Sequence, residues 1–303
     1  MAQQVIQAPI DPVVDFDYKK IRQDMLVRRI GKIAFNLNPA FAYFFLWAPI
    51  LVLVIFSFNN SSSVSSWGGF GTQWYNKILF NTESEFTKGM LKGLQNTLFI
   101  GLASTFIATT LGTMVALALE RGNFRGKRVV DAVLYLPVVI PEITQAVSLA
   151  IFFKFFFDLW ENLTGNKMTY GFPTIIIGHV VFSMSFVVIV VRARLADMNP
   201  RFEEAARDLG ANEWRAFWRV TFPLILPGVI SGALLAFTLS LDDYIVTFFN
   251  NGVGTDTLPL FVYGSLRQKI SPEINALSTL MLIASMLLVG FSLTVQNRSA
   301  ARR

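Results

Sequence analysis

The chain has 303 residues, of which 15% are charged and 53% are hydrophobic, and its formal net charge is +6. A soluble domain would be about a quarter charged, and a soluble surface needs more polar cover than this composition supplies, so composition argues against a soluble enzyme, a disordered chain and a secreted scaffold. Because the chain has no cysteine, disulfides, iron–sulfur clusters and thiolate zinc sites are excluded.

Six apolar runs follow one another along the chain, and each approaches the roughly 20 residues that a membrane-spanning helix needs. Four of them contain no residue charged at neutral pH: 39–58, 94–119, 173–191 and 274–295. The other two are interrupted by charges: 129–157 by Asp131, Glu142 and Lys154, and 223–250 by Asp242 and Asp243. We therefore predict an all-α polytopic membrane protein with six transmembrane helices, of which the third and fifth are unusual.

Lys and Arg residues concentrate in alternate connections between these runs. The segments 1–38, 121–128, 192–219 and 298–303 hold 19 of the 26 basic residues. Since cytoplasmic loops carry an excess of Lys and Arg, the pattern fits an even number of spans with both termini in the cytoplasm. The net charge then reflects topology and does not indicate a nucleic-acid partner.

The segment before the first run does not have the form of a cleavable signal peptide, because the apolar stretch is too long and no small-residue cleavage site follows. Ile21, Met25, Ile30 and Ile33 lie at near-helical spacing among basic residues. This spacing fits either an interfacial helix on the inner membrane face or a partly ordered basic tail. We predict a cytoplasmic tail over 1–38, a transmembrane domain over 39–295 that includes a cytoplasmic loop over 197–223, and a cytoplasmic tail over 296–303.

The loop between the fourth and fifth runs carries the end signals of two short helices. Asn199 is a good N-cap, Pro200 fits the first helical position and Gly210 suits a left-handed C-terminal stop. Asn212 would cap a second short helix that ends before 221–223.

The first of these helices presents small apolar residues on a charged background. Ala205, Ala206 and Leu209 would form a knob that can insert into a groove on another protein. The same pattern fits an amphipathic connector lying on the membrane surface, so the pattern by itself leaves both interpretations open.

The loop residues resemble the EAA motif of the permeases of ATP-binding-cassette (ABC) importers. The matching residues are Glu204, Ala205, Ala206, Gly210, Val220, Phe222 and Pro223, with Val220 and Phe222 in place of the Ile and Leu usual in the family. The resemblance covers residues 40–295. Four further stretches are similar to the polyamine branch of these permeases: 121–127, 136–142, 237–244 and 271–276.

This resemblance implies a type I ABC importer permease fold in the bacterial inner membrane, and import of putrescine or spermidine by alternating access. It implies a homologous permease subunit in a heterodimer, two copies of a cytoplasmic ATPase that uses ATP–Mg, an extracytoplasmic solute-binding protein and surrounding membrane lipid. In such importers the loop helix docks on the ATPase. The coupling residues would be Glu204, Ala205, Ala206, Arg207, Asp208 and Gly210.

Carboxylates inside apolar runs are the second functional signal. An Asp at the centre of a membrane helix costs roughly 2.5–3.5 kcal/mol, and such residues usually face a protein interior or a water-filled cavity. Asp242 and Asp243 fit this interpretation, although they could instead cap the external end of the fifth helix. Glu142 follows Pro137 and Pro141, which can break the helix and open a wetted kink.

Carboxylates at similar depth suit a flexible polycation, because ammonium groups are hydrated point charges that a carboxylate can hold. Nearby tyrosines could add cation–π contacts. We therefore predict a substrate pathway that contains Glu142, Asp242, Asp243, Tyr135 and Tyr244. The same carboxylates would also fit a metal cation. His179, alone in an apolar run, is expected to make an interhelical hydrogen bond.

The sequence contains no G-x-x-x-x-G-K-[ST] phosphate-binding motif and no cluster of metal ligands, so we expect no enzyme activity, cofactor or metal in this chain, and ATP hydrolysis on another chain. Three alternatives remain. One is a permease for another small cationic or organic solute. A self-contained secondary transporter or channel would predict inverted repeats, which are not apparent, and leaves the 197–223 loop unexplained. A non-transporting scaffold leaves the carboxylates without a purpose.

Overall fold

The computed structural model describes residues 18–64, 66–80, 84–268 and 272–301, most of which are helical. In chain order the helices are α1 (Tyr18–Ser57), α2 (Gln73–Phe80), α3 (Glu85–Arg121), α4 (Lys127–Val139), α5 (Glu142–Thr164), α6 (Phe172–Ala196), α7 (Arg201–Asp208), α8 (Glu213–Ala216), α9 (Phe222–Asp242), α10 (Ile245–Asn250), α11 (Leu258–Gln268) and α12 (Pro272–Ala301). A π-helical segment, Phe217–Thr221, joins α8 to α9. The predicted all-α class is confirmed.

Four helical segments are long and apolar enough to cross a membrane among the described residues: Glu85–Arg121, Glu142–Thr164, Phe172–Ala196 and Glu213–Asp242. They correspond to the second to fifth predicted runs. Two shorter apolar helices, Phe41–Ser57 and Pro272–Leu287, lie within the first and sixth runs. The order of apolar helices therefore follows the sequence, while the total of six spans stays a prediction.

Helix α1 is continuous across the boundary predicted between residues 38 and 39. Pro39 and Pro49 both lie inside it. The chain divides after residue 55 into two compact units, of which the first contains most of α1. The basic segment before the first apolar run is thus helical from Tyr18 onward, as the spacing of its apolar residues indicated. The position of this helix on the membrane surface stays a prediction. Residues 1–17 and 302–303 of the predicted tails lie outside the described part of the chain.

The centre of the second unit is formed by α3, α6 and α9. Small residues allow a close approach of these helices, since a Cβ atom on Gly112 would lie 2.9 Å from the Cβ atom of Val187. The apolar core around this contact includes Ala116, Leu119, Val187, Val191 and Ile225. A second apolar cluster joins α2, α3, α11 and α12 through Ile78, Met90, Leu258 and Leu277.

The third predicted span is two helices rather than one. Helix α4 ends at Val139 and α5 begins at Glu142, so the expected kink is a complete break. Pro141 favours this break, because proline has no N–H to continue the helix and disfavours helical dihedrals for the preceding Ile140, which has ψ 134°. The Gln145 side-chain amide donates to the freed carbonyl groups of Pro137, at 2.7 Å, and Ile140, at 2.8 Å. These two bonds satisfy the backbone carbonyl groups that the break leaves without a helical partner inside the apolar run.

The fifth predicted span also ends earlier than its apolar run. Helix α9 ends at Asp242, Asp243 has an extended conformation, and the short helix α10 follows. At the other end, the prediction that the second loop helix stops before 221–223 is wrong. The π-helical segment widens the backbone just before Pro223, whose missing N–H cannot serve a regular helix, and α8 therefore continues into α9 without a break.

Candidate substrate pathway and coupling loop

The two helix breaks bring a buried polar cluster together, because α10 packs against both α5 and α6. Asp243 is its central acceptor, with a side chain that is 7% exposed. The Oδ2 atom accepts from the backbone N–H and the hydroxyl group of Thr247, both at 2.8 Å, and lies 3.1 Å from Nε2 of His179. The Oδ1 atom accepts from the backbone N–H of Val246 at 3.2 Å. Asp243 therefore caps α10 and ties it to α6.

His179 links three helices from a nearly inaccessible position, 2% exposed. Its Nδ1 atom lies 2.6 Å from the hydroxyl oxygen of Ser240 on α9, which in turn lies 3.2 Å from the hydroxyl oxygen of Ser104 on α3. Its Nε2 atom lies 3.1 Å from the hydroxyl oxygen of Thr247. The predicted interhelical hydrogen bond of His179 is confirmed.

Glu142 joins this cluster from the first residue of α5 and is half-buried. Its carboxyl group lies close enough to Asp243 and His179 to interact electrostatically with both. The structure thus unites two of the predicted carboxylates and adds His179, which was not predicted as a site residue. The signal that could have indicated it was its position as the one titratable group in an apolar run.

The other predicted pathway residues lie outside this cluster. Asp242, although adjacent to Asp243, has an exposed side chain. The Tyr244 ring packs on that of Tyr263, with centroids 4.5 Å apart. Tyr135 is exposed on α4 and interacts electrostatically with Arg192 rather than with the carboxylates. The predicted pathway residues therefore lie in two chemically different environments, the buried polar cluster and the surfaces outside it.

The 197–223 loop forms its first helix with the predicted ends. The side chain of Asn199 accepts from the backbone N–H of Arg201 at 3.0 Å, as an N-cap does. At the other end Gly210 has φ +81°, a conformation that strains any residue with a Cβ atom. The N–H of Ala211 bonds the carbonyl of Ala206 at 3.0 Å, which completes the C-terminal stop. The Asn212 side chain accepts from the N–H of Arg215 at 2.9 Å, so the predicted second cap is also present.

Most of the predicted coupling residues are exposed on this loop: Glu204, Ala205, Arg207, Asp208 and Gly210. Ala206 is half-buried instead and borders a groove of about 270 Å³ between α7 and α8. Leu209 is 89% exposed at the end of α7. The loop therefore offers an apolar tip beside a shallow groove, next to a charged helical face.

Glu203, the residue before the EAA-like triplet, was not predicted to have a role. Its carboxylate accepts hydrogen bonds from the guanidinium group of Arg121 and from the hydroxyl group of Thr221. Its side chain is 13% exposed, whereas Glu204 points to the outside. The two neighbouring glutamates thus have different environments. Their positions on different faces of the predicted helix were the signal that could have distinguished them.

Comparison with known proteins assigns this chain to a family. Residues 108–303 match the family described as binding-protein-dependent transport system inner membrane component. The chain is 39% identical to the putrescine transport system permease protein PotI of Escherichia coli (strain K12) over 248 residues, which are 82% of this chain and 84% of that protein. It is 37% identical to the spermidine/putrescine transport system permease protein PotC of the same organism over 247 residues, 82% of this chain and 88% of that protein.

The fold is also found in a solved structure. The chain aligns with a bacterial ABC transporter involved in the import of the acidic polysaccharide alginate at a TM-score of 0.69 and 18% sequence identity, covering 91% of this chain and 99% of that one. The similarity at this identity concerns the helical architecture. The chain belongs to the inner-membrane components of binding-protein-dependent transport systems, and it is a multi-pass, non-catalytic permease subunit of an ABC importer.

Proposed function

We propose that this permease moves putrescine or spermidine into the cytoplasm by alternating access. The observation that carries the substrate class is the 37–39% identity, over 82% of the chain, with permeases named for these two amines. The carboxylates at the helix breaks support it, because a diamine or polyamine at neutral pH is a chain of ammonium groups that carboxylates can hold transiently.

We assign different roles to the three carboxylates according to how exposed each side chain is. Asp243 already accepts three hydrogen bonds, lies 3.1 Å from Nε2 of His179 and is nearly inaccessible, so we assign it to holding α10 in place. Glu142, half-buried at the start of α5, and Asp242, exposed at the end of α9, are the carboxylates that an ammonium group can approach. Tyr244 would offer a cation–π contact beside Asp242. Tyr135, which lies before the break at Pro141, would line a part of the pathway nearer the cytoplasm.

The membrane arrangement follows from the basic residues. We propose six spans, formed by the four long apolar helices, with α4 preceding α5 within the third span, and by the apolar parts of α1 and α12. Both termini and the loops 121–128 and 197–223 would face the cytoplasm, since these segments carry most Lys and Arg residues. The breaks at Pro141 and Asp243 would then lie at the outer half of the membrane.

The proposed importer contains partners that this chain does not supply. A second, homologous permease subunit would complete the translocation pathway as a heterodimer. Two copies of a cytoplasmic ATPase would hydrolyse ATP–Mg, and an extracytoplasmic binding protein would deliver the amine. The α7 face formed by Glu204, Ala205 and Gly210, together with the groove beside Ala206, would dock on one ATPase. Closure of the ATPases would move α7 and reorient the helices above it.

The test is uptake by the purified complex reconstituted into lipid vesicles, with binding protein outside and ATP inside. We expect uptake of labelled putrescine or spermidine that depends on ATP, and no uptake of a divalent metal cation. Glu142→Gln should lower amine uptake at least about tenfold, because the replacement removes a charge-assisted contact. Glu85→Gln changes an exposed carboxylate and serves as the matched control. ATP-dependent uptake of a metal ion instead of an amine would refute the assignment, as would unchanged uptake by Glu142→Gln.

A further inference from the structure

Helix α7 has little apolar packing to fix its orientation. None of its eight residues is buried, and its main neighbours are α8 and the π-helical segment that follows. A helix held in this way could rotate or fray when a partner pushes on it. Some other contact must therefore make it move with the membrane helices if it transmits force.

The carboxylate of Glu203 is that contact. It binds Arg121, the last residue of α3, and Thr221, the last residue of the π-helical segment that leads into α9. Thr221 is 1% exposed and the Glu203 side chain 13% exposed, whereas the Arg121 side chain is 36% exposed, so solvent reaches this bridge mainly from the side of the arginine. One side chain thus connects α7 to two of the three helices at the centre of the fold.

The end of α3 is itself connected to the helix that precedes the substrate cluster. The Oε2 atom of Glu120, the neighbour of Arg121, lies 3.4 Å from Nε of Arg192 on α6. The Nη1 atom of Arg192 lies 2.5 Å from Oδ1 of Asp131 on α4. Helix α4 leads directly into the break at Pro141 and so to Glu142. Three ion pairs between described residues, together with the peptide bond between Glu120 and Arg121, therefore connect α7 to the helix that positions a pathway carboxylate.

We propose that Glu203 is a latch, a positioning residue that makes α7 move together with α3 and α9. The inference rests on the proposed function, in which α7 docks on an ATPase. The two adjacent glutamates then have different roles, since Glu204 faces the partner and Glu203 binds the chain's own helices. Spatial continuity alone does not demonstrate coupling, so the test must measure energy transfer rather than binding.

The experiment compares variants of the complete reconstituted complex by three measurements: ATPase recovered with the permease, ATP hydrolysis, and amine uptake per ATP hydrolysed. Glu203→Gln keeps the shape of the side chain and removes its charge. We expect normal ATPase recovery, continued ATP hydrolysis, and uptake per ATP that falls about fivefold, because a charge-assisted contact is lost. Glu213→Gln, an exposed carboxylate on the same loop, is the matched control and should behave as wild type.

A charge exchange distinguishes the latch from general damage to the loop. Arg121→Glu should lower uptake per ATP in the same way as Glu203→Gln, and Arg121→Glu combined with Glu203→Arg should restore at least half of the wild-type ratio. If uptake per ATP in Glu203→Gln equals that of wild type, the latch does not exist. Loss of ATPase recovery in that variant would make Glu203 a docking contact instead, and failure of the charge exchange would equally overturn the proposal.

Hydrogen exchange separates this inference from the proposed function. The amides of α7 should exchange several-fold faster in Glu203→Gln than in wild type or Glu213→Gln, whatever the substrate. If the wild-type complex does not link amine uptake to ATP hydrolysis, the proposed function is wrong, and unchanged exchange in α7 would show independently that the latch is wrong.

Discussion

Asp242 and Asp243 are adjacent in sequence, yet they have opposite environments, and replacing each by asparagine should separate folding from transport. Asp243 is buried, accepts from Val246 and Thr247, and its Oδ2 atom lies 3.1 Å from Nε2 of His179. In Asp243→Asn one oxygen becomes an NH2 group that faces donors, so at least two buried groups lose a partner. Each such loss costs about 1–3 kcal/mol, which gives a destabilisation of about 3 kcal/mol.

Asp242→Asn should leave the stability within about 0.5 kcal/mol of wild type, because the side chain is exposed. Its effect should appear in amine uptake, which loses one of the accessible carboxylates. The assay is thermal unfolding of the purified complex, followed by tryptophan fluorescence since this chain has no cysteine for a thiol-reactive dye. We expect the unfolding temperature of Asp243→Asn to fall on the order of 5–10 °C.

Thr247→Val provides an intermediate perturbation, because it keeps the backbone N–H and removes only the hydroxyl group, which donates to Asp243 at 2.8 Å and lies 3.1 Å from Nε2 of His179, and it should cost about 1–2 kcal/mol. Wild-type unfolding in Asp243→Asn, or a lower unfolding temperature in Asp242→Asn, would refute the assignment of the two residues. Equal uptake defects with unchanged stability in both variants would show that both carboxylates contact the substrate.

Two glycines allow further tests. Gly112→Ala should destabilise the protein by about 1–3 kcal/mol, because the new Cβ atom would lie 2.9 Å from that of Val187. Gly264→Ala, where nothing lies within 4 Å, is the control and should leave the unfolding temperature equal or slightly higher. Gly210→Ala should cost about 1 kcal/mol at φ +81° and reduce the ATPase recovered with the permease. Gly210→Asn should lose less because Asn tolerates this conformation, and equal recovery with both variants would contradict the reasoning.

Length and capping signals were sufficient to predict much of the fold. The apolar runs located the four helices that are long and apolar enough to cross a membrane, since a bilayer sets their length. Asn199, Gly210 and Asn212 located the loop helices because caps act within a few residues of the chain. Where the outcome depended on side-chain contacts, the prediction was incomplete. Pro141 indicated a kink, but the complete break also depends on the Gln145 side chain, which bonds both freed carbonyl groups.

The candidate site shows the same division. The sequence grouped Glu142 with Asp242 and Asp243 from their place in apolar runs, and the structure brings Glu142 and Asp243 together. The sequence could not separate the two aspartates. Adjacent residues differ in direction by about 100° around a helix, and which way each side chain points depends on where α9 ends. The same ambiguity applied to Glu203 and Glu204. The tertiary contact that orients one member of each pair, His179 or Arg121, comes from a distant helix.

The basic residues at the proposed inner face have two roles that composition alone cannot separate. Arg121 and Arg192 belong to the excess that indicates orientation, yet both are also paired with carboxylates that hold helix ends together. Pairing does not erase the topological signal, because acidic residues contribute little to orientation during insertion. Replacing Arg192 by methionine would therefore break the α3–α6–α4 connection while leaving eighteen of the nineteen orienting charges in place. We expect orientation to survive that change and uptake per ATP hydrolysed to fall, a result that would mean that these arginines contribute to function through their partners rather than through the net charge of +6.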